Sequence, residues 1–381
     1  MDAKTGCSIT GLGALSALGH DVPAHRFGLL EKVVPFQFLG KLLGPNNSHA
    51  ATPAAWIEPR GLLNHRKWSP ASMAALIVAR QAITAARWTS ADCRDAAIVL
   101  GTSRGNAAGW LDPWPGRRPF RLMAASNTIH SEPATAISIE CGILGPNHVI
   151  ANGCAAGLDA AGLAMMMIQS GVVDRALAVA VDLPLVEILL DNYRASGLLS
   201  MDCFLDPYGE KSNGFIPAEG AAAMALERKR EGNFSQLLFY ASNADGCDPV
   251  GIPADGGRTP ELISLAEKAV GRPAAICPHA TGTRVQAVAD PAWLNRCYLE
   301  NRPSLHLLKP QLGHAIGASG LLESVVLCAF LEQQQFPPNI PNLTEPNGFH
   351  LPTTAIEATG IIYNISHGMG GHNSLIALSA P

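Results

Sequence analysis

Short apolar runs alternate with longer helix-patterned runs along most of this 381-residue chain, and that alternation limits the folds open to it. Segments 96–100, 176–181, 221–226 and 274–277 read as buried strands, with 360–365 and 374–378 as a terminal pair. Helical candidates span 71–86, 155–169, 260–270 and 318–334. Strands that alternate with helices predict an α/β architecture with largely buried sheets. Only 15% of residues are charged and 48% are hydrophobic, so much of the chain is expected to be buried, with a subunit interface as one place for it. Regions 35–68 and 103–121 read as surface loops or cap insertions. The polar stretch 227–235 has little periodicity and marks the expected boundary between an N-terminal half, 1–230, and a C-terminal half, 231–381.

Charge and cysteine usage exclude several function classes. The net charge is -4 and no Lys/Arg-rich block occurs, which argues against nucleic acid as a partner. Nine cysteines are scattered with no CxxC pair, which argues against a disulfide framework or a structural zinc site and for a reducing cytosol. The N-terminus lacks a signal-peptide pattern. No run of 18 uncharged apolar residues appears, so a soluble, cytoplasmic protein with no membrane span is expected.

Cys154 lies where a short apolar run, 149–151, meets a helix-rich run that starts at Ala155. A thiol at a strand-to-helix turn points toward the positive end of the helix dipole, which favours thiolate and makes a ready nucleophile. The competing reading is a buried, inert cysteine. Two histidine motifs downstream bear on that choice. One is Pro278-His-Ala-Thr-Gly-Thr283, directly after a strand. The other is Lys309-Pro-Gln-Leu-Gly-His-Ala-Ile-Gly-Ala-Ser-Gly-Leu-Leu-Glu323. A glycine-rich turn, Ser366-His-Gly-Met-Gly-Gly-His-Asn373, could supply N–H donors to an oxyanion.

In this order, these four elements resemble the condensing enzymes of the thiolase superfamily, in particular the elongating β-ketoacyl-ACP synthases of fatty acid and polyketide synthesis. The resemblance covers most of the chain. Ser8–Gly19 is similar to the family's opening strand and turn, Asn213-Gly-Phe-Ile-Pro-Ala-Glu-Gly-Ala221 to its GF…EGA segment, and Pro337–Leu343 to its late proline-rich stretch. It implies the thiolase fold, with two similar halves in α-β-α-β-α layers. It also implies decarboxylative Claisen condensation of an acyl-Cys enzyme with malonyl-ACP, in fatty-acid-like or polyketide biosynthesis. An aryl-polyene or type II polyketide ketosynthase is the preferred assignment.

The roles implied are specific. Cys154 takes the acyl group from the phosphopantetheine arm of an acyl carrier protein. His279 and His314 hold the malonyl thioester carbonyl and the enolate left when carbon dioxide departs. The amides of Cys154 and Met369 form the oxyanion site, with Gly370 beside Met369 in the gating turn. Lys309 organises the histidines, Glu323 supports it, and Thr281 and Thr283 bind pantetheine. No metal or redox cofactor is implied. The partners implied are the carrier protein and a second subunit, as homodimer or as heterodimer with a related chain.

Each role has a plainer counterpart: a surface lysine, a solvated Glu323, threonines bonded to their own turn. His367 and His372 read as structural parts of their turn, and His130 and His148 as structural. The pattern also departs from the family. Ala280 stands where glycine is frequent, and Ala287 where an aspartate is frequent, the nearest being Asp290. His367 and Met369 replace two phenylalanines, and Asn152-Gly153 replaces the usual Thr-Ala. Two alternatives remain: a non-catalytic partner of the chain-length-factor type, and a non-decarboxylating thiolase or acyltransferase.

Overall fold

The structure is a computed structural model that describes residues 6–106, 128–228 and 230–381. Most of the stretch 103–121 lies outside the described residues. Ten strands carry the fold: β1 (Cys7–Ser16), β2 (Ala97–Gly101), β3 (Asn147–Ile150), β4 (Arg175–Asp182), β5 (Gly220–Glu227), β6 (Gln236–Ala244), β7 (Ala275–Cys277), β8 (Ser304–Leu305), β9 (Ile362–Gly368) and β10 (His372–Ser379). Their order is β8-β7-β9-β10-β6-β1-β5-β4-β2-β3.

That order contains the same five-strand pattern twice. In the first half β3, β2 and β4 run parallel, and β5 and β1 pair antiparallel to complete it. In the second half β8, β7 and β9 run parallel, and β10 and β6 follow antiparallel. The halves meet edge to edge where Cys7 and Ser8 of β1 face Leu237 and Gln236 of β6.

Helices fill the space between and outside the two sheets. Among the described residues the principal ones are α1 (Pro70–Ala86), α2 (Glu132–Cys141), α3 (Ala156–Gln169), α4 (Glu187–Ala195), α5 (Thr259–Val270), α6 (Arg284–Cys297) and α7 (Ser319–Leu331). The central pair, α3 and α7, packs against strands of both halves. α1 and α2 cover the outer face of the first half, and α5, with α6 packed on it, covers the second. The result is five layers, α-β-α-β-α.

The central position explains the composition of these two helices. Every residue of α7 is buried, so it shows no polar face. α3 is rich in alanine and glycine because it is squeezed between two sheets. A Cβ added at Gly157 would sit 2.7 Å from the carbonyl oxygen of Gly317. Two elements leave a weaker trace in the sequence. β6 is largely half-exposed, and α6 holds Pro291 inside a run with little periodicity.

Candidate active site

Two turns, one from each half, set up the site. After β3 the chain passes through Gly153, whose φ of +57° is left-handed, into a short 3-10 turn at Gly153–Ala155 and then α3. This places Cys154 at the head of α3. In the second half an equivalent 3-10 turn, Ile316–Ala318, leads into α7. His314 lies just before it and is pinned by its main chain. Its amide donates to Ile216 O at 2.8 Å and its carbonyl accepts from Ala218 N at 3.0 Å. The segment 213–221 therefore builds the shelf on which His314 rests.

Cys154, His279 and His314 converge. Cys154 Sγ is 3.2 Å from His314 Nε2. The His279 and His314 rings stand edge to face with centroids 5.4 Å apart. The sulfur and one nitrogen of each ring lie within 4.8 Å of one another. All three side chains are buried, yet all line one cavity of about 340 Å³. A thiol and two imidazoles at this spacing also form a soft-metal ligand set.

The protonation states follow from burial. Desolvation holds both imidazoles well below the ordinary histidine range, with Lys309 pushing the same way, so both are neutral at pH 7. Burial also pushes the Cys154 thiol up to about 12, against the pull of Lys309 and Arg104. The expectation of a resting thiolate is therefore corrected. The helix head is present, but its partial charge is outweighed by removal of the sulfur from water. The resting group is a neutral thiol in contact with a neutral imidazole.

Lys309 and Glu323 form a buried ion pair at 2.6 Å. Burial raises the Glu323 carboxyl, and the Lys309 ammonium pulls it back. Both are sealed from solvent, so the surface-lysine and solvated-glutamate readings do not describe them. Thr281 and Thr283 line the cavity, and their hydroxyls are 3.1 Å apart. Thr283 also caps α6, accepting from Gln286 N at 3.4 Å. Met369 lines the cavity, with Gly370 next to it in the turn. A Cβ at Gly153 would lie 3.3 Å from Met369 N, and one at Gly368 would lie 3.3 Å from Cys154 N. The two turns are thus in backbone contact, and their amides share one neighbourhood.

Several participants were not singled out from the sequence. Asp182, at the end of β4, accepts from Ser103 N, Arg104 N and Gly317 N at 2.8 Å each, and from Thr102 Oγ1 at 2.9 Å. It ties the loop after β2 to the turn before α7, and burial holds its carboxyl up at about 6. Ser319 Oγ sits 3.0 Å from His314 Nδ1. Ala280 takes a left-handed φ of +42°, which suits the glycine usual there. Its amide is held by Asp290 Oδ2 at 2.9 Å, so the displaced aspartate on α6 braces the His279 loop. His367 lines the cavity, but both its ring nitrogens are engaged in the wall, by Thr259 Oγ1 at 3.0 Å and Gln286 Nε2 at 2.8 Å.

Known proteins resemble this chain in sequence and in shape. Residues 50–232 match the model of the β-ketoacyl synthase N-terminal domain, and residues 234–342 that of the β-ketoacyl synthase C-terminal domain. A 3-oxoacyl-acyl-carrier-protein synthase 2 of Mycobacterium tuberculosis is 26% identical over 309 residues, 74% of this chain and 73% of the relative. A type II polyketide ketosynthase, solved in complex with its acyl carrier protein and bound to the hexaketide, superposes with a TM-score of 0.84 at 24% identity, covering 99% of each chain. The ishigamide ketosynthase/chain length factor does so with a TM-score of 0.84 at 23% identity, again over 99% of each chain. Among the described residues no helix is long and apolar enough to cross a membrane.

Proposed function

The chain belongs to the β-ketoacyl synthase family, and from that premise we propose that it joins an acyl group held on Cys154 to a malonyl group held on an acyl carrier protein, with loss of carbon dioxide. The layered double half is the thiolase fold. The observation that carries the reading is the meeting of one thiol and two neutral imidazoles around a single cavity.

Transfer comes first. His314 Nε2 accepts the Cys154 proton as the sulfur attacks the carrier thioester. A new C–S bond forms, the carrier's C–S bond breaks, and the proton passes to the departing carrier thiol. The tetrahedral oxygen is held by the amides of Cys154 and Met369. A proton moved at the moment of attack suits a thiol that burial keeps neutral.

Condensation follows. The malonyl thioester oxygen accepts from N–H groups of His279 and His314. Its C–C bond to the carboxylate breaks, carbon dioxide leaves, and the electron pair becomes an enolate. The carbanion attacks the acyl carbon, a C–C bond forms, and the C–S bond to Cys154 breaks. The thiolate then takes up one proton, giving the β-ketoacyl carrier and free enzyme. His314 must accept at Nε2 in the first stage and donate there in the second. Ser319 fits both tautomers, because a hydroxyl can donate to Nδ1 or accept from it. No metal or redox group is assigned a step.

The finer assignments are part of the same proposal. Lys309 fixes the histidines through its field, Glu323 anchors it, and Thr281 and Thr283 meet the pantetheine arm. The chains built are fatty-acid-like or polyketide, an aryl polyene among them, in the cytoplasm. A second subunit, identical or related, adds at β3. Among the described residues that strand is a sheet edge, and Ile139, Leu144 and Met166 on neighbouring elements are about half exposed or more. A chain-length-factor role is disfavoured by the thiol in contact with His314. A thiolase role is disfavoured because, among the described residues, no second cysteine lines the cavity.

Intact mass after incubation with acyl-carrier thioesters tests this. The wild type should gain the acyl mass and Cys154→Ala should not. Labelled malonyl carrier should then release carbon dioxide. Equal acyl gain or equal product yield by Cys154→Ala would remove Cys154 as nucleophile.

A further inference from the structure

Among the described residues the cavity carries one strong cation, which the condensation does not use. Arg104 lines it in the loop after β2. Its amide is fixed to Asp182, and its side chain is spent only in part. Nε donates to Tyr193 Oη at 3.2 Å, and the guanidinium lies 5.6 Å from the centre of the Tyr193 ring. Among the described residues no carboxylate pairs with it, and none accepts a hydrogen bond from its two terminal nitrogens. A half-buried guanidinium without a counter-charge is costly, so the free fork calls for an anion. Tyr193 matches that call. Its oxygen accepts from Nε, which leaves its own hydrogen to donate, and burial keeps the phenol protonated, its value raised to about 12. Tyr193 stacks edge to face on Phe215, and Phe215 on His314, so the pair stands at the end of a wall that starts at the reacting groups.

Resting on the condensing function above, we propose that Arg104 and Tyr193 form a carboxylate subsite, and that the acyl group accepted by Cys154 carries a carboxylate on its chain. Two other anions enter this cavity. The malonyl carboxylate is a poor occupant, because an ion pair would stabilise the charge that must be lost as carbon dioxide. The pantetheine phosphate is at the far end of a long arm from the thioester, whereas Arg104 and Cys154 line the same cavity. The subsite narrows the fatty-acid-like and polyketide chains proposed above to those begun from a dicarboxylic monothioester.

The test uses full-length protein and N-acetylcysteamine thioesters, which contain no phosphate. Acylation rates of Cys154 are measured by intact mass for succinyl, glutaryl and adipoyl thioesters against unsubstituted acyl thioesters of equal chain length. The expected result is a preference of at least about tenfold for one carboxylated member. It should fall to one or below in Arg104→Gln, be intermediate in Arg104→Lys, and drop severalfold in Tyr193→Phe, with melting temperatures confirming folded variants. A wild-type ratio at or below one overturns the proposal. So does an equal fall on both series in Arg104→Gln, which would mean that Arg104 acts on the thiol. A defect confined to malonyl decarboxylation would assign the subsite to the extender. No acylation of Cys154 by any thioester would instead overturn the condensing function itself.

Discussion

The loop after β2 and the loop after β7 occupy the same place in the two halves, yet they carry unlike chemistry. One brings Arg104, a cation, and the other His279, a neutral imidazole. The turns that lead into α3 and α7 are equivalent too, and they supply Cys154 and His314. A repeated scaffold gathers its loops at the carboxyl ends of parallel strands, where sites form in α/β proteins. The repeat brings four side chains to one cavity, and their differences make the site directional. In the proposed reaction one half holds the acyl group, and the other handles the charge that develops when carbon dioxide leaves.

The largest expected effects separate the two imidazoles. His314→Ala removes both the proton acceptor for Cys154 and an enolate donor, so condensation should fall about 10⁴-fold or more. His279→Ala should slow malonyl decarboxylation about 10²–10³-fold while Cys154 still acylates. Separate assays of acyl transfer and carbon dioxide release check this. Equal loss of both reactions in His279→Ala would break the division between the halves.

The buried pair in the second half gives the next effect. Lys309→Met leaves Glu323 without its counter-charge and sealed from water, and should cost about 3–5 kcal/mol of stability in denaturant unfolding. Lys309→Met with Glu323→Leu should recover most of it, while the histidine chemistry stays impaired. Gly317→Ala attacks the seam between the halves. The new methyl would lie 2.6 Å from Ser103 N and 2.7 Å from Asp182 Oδ2, so a loss of about 1–3 kcal/mol is expected.

Smaller effects probe protonation. Ser319→Ala removes the hydroxyl that serves both tautomers of His314, and should reduce condensation about tenfold, the effect of roughly one hydrogen bond. For Cys154, a value raised to about 12 keeps the thiolate fraction climbing about tenfold per pH unit through the neutral and mildly alkaline range. Iodoacetamide labelling, followed by peptide mass, should rise from pH 6 to 9 without levelling. A plateau near pH 7 would show that the helix head wins over burial after all.

How much of this was legible in the sequence depends on what each residue must do alone. Strands such as 176–181 are buried on both faces and announce themselves as apolar runs. The motifs around Cys154, His279 and His314 stand out because glycines fix their turns locally. Asp182, Ser319 and Arg104 left no such mark. Each is an ordinary residue whose meaning comes from a partner far away in the chain: Gly317 for Asp182, Tyr193 for Arg104, and a ring nitrogen of His314 for Ser319. The protonation state of Cys154 escapes the sequence for a related reason. A helix head is visible in sequence order, whereas the depth of the sulfur is set by layers that only the assembled halves provide.

The contact at Gly317 has a consequence for how such a site can change over time. There the main chain of one half and its buried Asp182 carboxylate form the wall of the other, with Ser103 N, Asp182 Oδ2 and Gly153 O all crowding the missing methyl. A wall of that kind offers nothing for substitution to adjust. Drift in selectivity is left to the few lining positions where side chains reach the cavity freely, Arg104, Tyr193 and Met369 among them. Redesign for new acyl groups should begin at those positions and leave the seam untouched.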